Sequence, residues 1–143
     1  AVTHLKEKLN GCWKTNDVAV YLVISENKAV EYRMDDKSLL MKSKFKVEYI
    51  DKCKFRLILT HSEGNIYPYQ KGDTYEYECL QDPHPKGFSC TMVFNEKVNK
   101  VNPKILNFSK ASDKEFNDFL KTYNENIRKF NHEELSWVIP GNN

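Results

Sequence analysis

Residues 39–59 read LLMKSKFKVEYIDKCKFRLIL, and they open the stretch 39–94 that decides the fold. Leu39, Met41, Phe45, Val47 and Tyr49 alternate with Leu40, Lys42, Lys44, Lys46 and Glu48. That two-residue period is the mark of a half-buried strand, because successive side chains of a strand point to opposite faces. Asp51-Lys52 supplies a turn, and Cys53, Phe55, Leu57 and Leu59 then alternate with Lys54, Arg56, Ile58 and Thr60. A short segment follows at 65–70. Tyr75, Tyr77 and Cys79 next alternate with Thr74, Glu76 and Glu78; after a turn at 82–87, Phe88, Cys90, Met92 and Phe94 do the same. A meander with one apolar and one polar face must bury the first, by packing on a second layer or by curling closed.

Outward from this stretch the pattern continues. Val2, Leu5 and Leu9 give a short N-terminal helical turn, stopped by Asn10-Gly11. The run 18–24 is apolar and β-branched enough to be covered on both faces. Val30, Tyr32 and Met34 alternate with Glu31 and Arg33, which predicts Tyr32 and Met34 inward and the two charges outward. Leu106 and Phe108 mark a last strand. The expected strands are 17–25, 29–34, 39–50, 53–61, 65–70, 74–80, 87–95 and 104–109. Ser112 and Glu115 form a capping box ahead of Phe116, Phe119, Leu120, Tyr123, Ile127 and Phe130 at helical spacing. The expectation is an all-β chain with one C-terminal helix. It forms an eight-stranded antiparallel up-and-down β-barrel within a single domain, 1–143: N-terminal turn 2–10, barrel 11–110, helix 112–130, and an apolar tail 131–143 docked on the barrel or on a partner.

Composition narrows the function classes. A net charge of +2 argues against a dedicated nucleic-acid binder, and no run of apolar residues is long enough for a transmembrane helix. Catalytic motifs are lacking: there is no G-x-S-x-G elbow and no glycine-rich phosphate loop. His4, His61, His84 and His132 have no metal-ligand spacing, so neither a metal nor a cofactor is expected. His61 continues the inward parity of Phe55, Leu57 and Leu59 and would sit at the barrel mouth. It is also the one imidazole that a small barrel enzyme, the minor alternative, would have to use. The four cysteines, Cys12, Cys53, Cys79 and Cys90, carry no C-x-x-C motif. Cys79 and Cys90 fall on one face of adjacent strands, either as a disulfide or as buried thiols. The chain starts at Ala1 with no charged and then apolar leader, and the expectation is a mature secreted or periplasmic chain whose leader was removed.

Gly11-Cys12-Trp13, placed after a helical turn and before eight antiparallel strands and a C-terminal amphipathic helix, resembles the lipocalins. The chain is shorter than most animal members, and its Lys- and Asn-rich composition suits a small bacterial secreted one. The resemblance implies that Trp13 closes the barrel floor and stacks on a basic side chain, Lys104 or Lys110, where the family usually has Arg. It also implies binding and transport of a small hydrophobic or amphipathic ligand, a fatty acid or other lipid-like molecule, inside the barrel. Aromatic residues make up 13% of the chain. The expected lining is Tyr32, Met34, Phe45, Tyr49, Phe55, His61, Tyr75, Tyr77, Met92 and Phe94, either around a cavity or filling the barrel completely. In the filled case function lies on the surface, as a protein–protein interaction module, with the apolar segment 135–139 as the self-association patch of a homodimer.

Overall fold

A computed structural model describes residues 2–15, 19–35, 39–64, 75–81, 87–94 and 105–138, with side chains described except at 2, 35, 39, 75–78, 81, 90–94, 105 and 130–138. Helix α1 (Val2–Leu9) precedes eight strands: β1 (Gly11–Thr15), β2 (Val20–Ser25), β3 (Lys28–Asp35), β4 (Leu39–Tyr49), β5 (Lys54–Gly64), β6 (Tyr75–Gln81), β7 (Gly87–Phe94) and β8 (Ile105–Lys110). Helix α2 (Asp113–Val138) follows. Each strand pairs antiparallel with the next, and β1 pairs with β8 through Trp13↔Lys110 and Thr15↔Phe108, so the sheet closes as an up-and-down barrel. Closure leaves no unpaired strand edge.

The strands are eight, as expected, but not the same eight. Gly11–Thr15 is a strand of its own, paired with β2 on one side and β8 on the other. Five residues with a central Trp show too little alternation to be read alone; what makes them a strand is the two neighbours. The expected strand 65–70 lies outside the described residues. Helix α2 runs on through Val138, past the expected end at 130, because no glycine or proline intervenes before Pro140-Gly141. The side chains of the expected self-association segment are likewise outside the described residues.

One end of the barrel is packed shut. Leu5 and Leu9 of α1, Trp13, Ile24, Ala29, Phe45, Val47, Phe55, Leu57, Cys79, Phe88, Leu106 and Phe108 belong to one continuous buried core. Trp13 is 2% exposed. Its indole Nε1 donates to the Leu9 carbonyl at 2.8 Å, fastening α1 under the barrel. Phe88 meets the indole edge-on at 4.9 Å, and the Lys110 ammonium lies 4.6 Å from the ring centroid. Of the two candidate bases, Lys110 therefore takes the cation–π position; Lys104 lies outside the described residues. Gly11 sits at φ +134°, a backbone conformation that L side chains rarely adopt, and a Cβ there would also displace the Lys110 Nζ.

Helix α2 covers the outside of the barrel. The capping box forms as the sequence predicts: Ser112 N–H donates to Glu115 Oε1 at 2.7 Å, and Glu115 N–H donates to Ser112 Oγ at 3.2 Å. Glu115 also takes an ion pair from Lys14 of β1 at 2.6 Å, which ties the first turn to the wall. Phe119 and Tyr123 then bury against Tyr21, Tyr32, Met34 and Leu40.

Candidate functional site

The helix changes which face of β3 is inside. Tyr32 rests edge-on against Tyr123 at 5.4 Å and beside Phe116 at 5.8 Å, while Met34 Sδ accepts from Asn126 Nδ2 at 3.4 Å. Both belong to the outer layer under α2, which corrects the expectation that they line the interior. Register gives the consequence. Leu22 pairs with Glu31, and Val20 with Arg33, so the two charged residues share the face of the buried Leu22 and Val20 inside the barrel. Glu31 is 1% exposed. The more apolar face of this strand is the outer one, because a helix covers it. The alternation was sound; the inference that apolar means inward was not.

A second correction concerns His61. The β4–β5 ladder slips between Lys44 and Phe45: Phe45 pairs with Leu59, but Lys44 pairs with His61, leaving Thr60 as the extra residue. Beyond this bulge the parity reverses. His61 turns outward, is exposed, and lies 3.7 Å from Glu63. Ser62 takes the inward place instead, opposite Ser43, and the two hydroxyls meet at 3.1 Å. Ser43 is completely buried. The strand ends at Gly64, φ +138°, where a Cβ would stand 2.1 Å from the Leu40 carbonyl oxygen.

The interior therefore has two halves. Toward α1 it is the packed apolar core, to which Phe45 and Phe55 belong and which reaches along β2 to Leu22 and Val20. Tyr49 sits at this closed end too, half-buried, its hydroxyl donating to the Glu26 carbonyl at 2.5 Å. Toward the far end, the tier Leu22–Glu31–Ser43–Ser62 runs across β2, β3, β4 and β5, with Val20, Arg33, Met41 and Gly64 above it. The Nε of Arg33 is buried and has no hydrogen-bond partner among the described residues. Tyr77 pairs with Leu57, and Tyr75 and Tyr77 pair with Phe94 and Met92, which brings all four expected aromatic and Met positions into register beside this half. Their side chains lie outside the described residues.

What the wall offers chemically is a carboxylate, a guanidinium and a hydroxyl pair enclosed by an otherwise apolar barrel. Such a set orients a polar group; nothing in it is arranged as nucleophile and base. Sequence reasoning missed Glu31, Arg33, Ser43 and Ser62. The one signal that pointed to them is the doubly covered run of β2: a strand buried on both faces has neighbours that are too, so their apolar face need not be the inner one. Among the described residues no three His, Cys, Asp or Glu converge as metal ligands, and no helix is long and apolar enough to cross a membrane.

Cys12 and Cys53 are free thiols, the first buried and the second exposed in the β4–β5 turn. Burial, reinforced by the nearby Glu115 and Asp113 charges, pushes the Cys12 thiol up to about 11. Cys79 and Cys90 stand directly opposite each other in register. No family model, no curated protein and no solved structure matches this chain.

Proposed function

We propose that this chain is a lipocalin-like binding protein that takes a small amphipathic molecule into the far half of its barrel. The observation that carries this reading is Glu31, a carboxylate 1% exposed on the inner wall, beside the fully buried Ser43. An acidic side chain on the inner wall of an otherwise apolar barrel adds nothing that apolar packing alone requires. A ligand pocket needs such groups: a few placed polar atoms in apolar walls fix the ligand's orientation. The ligand's polar end would meet Glu31, Arg33, Ser43 and Ser62, and its apolar body the positions of Tyr75, Tyr77, Met92 and Phe94. The lipocalin resemblance is supported by the buried Trp13 with Lys110 on its face and α1 beneath it. A secreted or periplasmic setting goes with it. There Cys79 and Cys90, opposite in register while Cys12 and Cys53 are free, would form a disulfide across β6 and β7.

Dodecanoate, dodecylamine and dodecanol share one chain and differ in head group, so titrating each while following backbone amide shifts tests the reading. At least one should bind with shifts at Glu31, Arg33, Ser43 and Ser62, and Glu31→Gln should alter the head-group preference. If none of the three moves these amides, and native mass spectrometry finds no co-purified small molecule, the barrel is a filled scaffold and the proposal fails.

A further inference from the structure

The outer wall carries a feature that ligand binding inside the barrel does not use. A groove of about 480 Å³ lies over β3 and β4 where the bulge opens the wall, lined by Asn27, Lys28, Val30, Lys44, Lys46 and Thr60 among others. None of its lining residues belongs to the layer under α2. Its size is that of a small-molecule site, for which about 300–1,000 Å³ is typical.

Among the described residues the charged groups that line it are all lysines. Lys28 stands directly opposite Lys46 across the β3–β4 ladder, and Lys44 stands opposite His61 across β4–β5. The Lys28–Lys46 pair sets like charges opposite each other, which is destabilising. Among the described residues no carboxylate lines the groove. The acids nearest in the sequence are committed elsewhere: Glu26 lies 3.8 Å from Lys6, Glu48 is 4.0 Å from Arg56, and Glu63 is 3.7 Å from His61. Among the described residues Lys28, Lys44 and Lys46 form no ion pair. With the whole chain at only +2, this clustering is local and not a consequence of overall charge. Between the ammoniums the wall is apolar, formed by Val30 and the lysine stems, which cover apolar surface while their heads reach water.

We propose that this groove is a second binding site, for an organic phosphate or sulfate: an oxyanion joined to an apolar body. Lys28, Lys44 and Lys46, on two adjacent strands, can bring three ammoniums from the rim of this mainly apolar groove to a group with three free oxygens, which offers them more acceptors than a two-oxygen carboxylate, and lysines act on phosphate as point charges. The anion relieves the Lys28–Lys46 repulsion while the body lies over Val30. Ala29 and Phe45, which also line the groove, belong to the barrel core, so the groove shares the β3–β4 wall with the interior while its lysines stand on the outer face.

The test uses 1-naphthyl phosphate as probe, with inorganic phosphate and 1-naphthol as its two halves, followed by calorimetry and amide shifts on the intact chain. The ester should bind, shift amides at 28–30, 44–46 and 60, and weaken with added salt. Each half alone should bind about tenfold more weakly or worse. Lys28→Gln, Lys44→Gln and Lys46→Gln together should reduce ester affinity by about tenfold or more, as charge-assisted contacts are lost. Lys44→Gln alone should give a partial loss, whereas Glu31→Gln, inside the barrel, should give none. The proposal is overturned if the ester shifts only interior amides, if inorganic phosphate binds as well as the ester, or if the triple variant retains full affinity.

Discussion

Replacing Trp13 by Ala removes the plug of the barrel, and its cost can be worked from the contacts. The side chain is 2% exposed and sits among Leu5, Leu9, Phe88 and Phe108 in the core. Deleting a buried Phe or Trp to Ala costs ~3–5 kcal/mol from lost transfer energy and the cavity left behind. Two further losses push toward the upper end. The Leu9 carbonyl forfeits the 2.8 Å hydrogen bond from Nε1, and an orphaned buried acceptor costs ~1–3 kcal/mol. The Lys110 ammonium loses its ring at 4.6 Å, ~0.5–1 kcal/mol for an exposed lysine. These terms overlap, so about 5 kcal/mol is the expected total, against ~5–15 kcal/mol for a whole domain. At roughly 2–4 °C per kcal/mol, Tm should fall by about 10–20 °C. Thermal and urea unfolding followed by circular dichroism measure it directly. Trp13→Phe keeps most of the apolar volume and loses only the N–H, so it should retain more than half of the lost stability. A Trp13→Ala loss below about 2 kcal/mol, less than any well-packed aromatic should cost, would refute the plug and the family resemblance that rests on it.

Other outcomes follow from the same structure. Gly64→Ala should destabilise by more than ~1 kcal/mol in urea, since φ is +138° and the new Cβ would meet the Leu40 carbonyl; a neutral result would mean that the strand after the bulge relaxes freely. Ser112→Ala should cost ~1 kcal/mol by removing the hydroxyl that accepts from Glu115 N–H, read as a lower urea midpoint. Alkali should destabilise the fold. Burial, then the Glu63 charge, raises the Tyr123 phenol to about 12 from 10.0, and burial raises the Cys12 thiol to about 11 from 9.0. The unfolded chain loses both protons first, so stability is full below about pH 9 and falls as pH rises through the window up to about 12. Midpoints across that range, with tyrosinate absorbance alongside, check the sign. In acid the opposite holds for Glu115, whose carboxyl is lowered by the Lys14 hydrogen bond and then by Ser112 N–H. Its contribution is present above the ordinary carboxylate range and is lost as pH falls, and Lys14→Ala should flatten that acid limb.

Much of this molecule is legible in the chain itself. Strand periodicity between Leu39 and Leu59, the Ser112–Glu115 box and the aromatic stripe from Phe116 to Ile127 are local, because each depends on residues a few positions apart and on one covered face. Gly11-Cys12-Trp13 is local as a motif, whereas its contact with Lys110 is made only by the closed barrel. Three decisions were taken only by the tertiary structure. Gly11–Thr15 becomes a strand because β2 and β8 flank it. The interior of β3 is set by α2, which draws Tyr32 and Met34 outward and leaves Glu31 and Arg33 to the barrel. The bulge at Thr60 exchanges His61 for Ser62 on the inner wall. Periodicity says that two faces differ, but not which is inside once both are covered, and an extra residue in a ladder is defined only by the partner strand. The candidate site rests on those non-local choices, which is why the sequence by itself determined the barrel and only the folded chain decided what lines it.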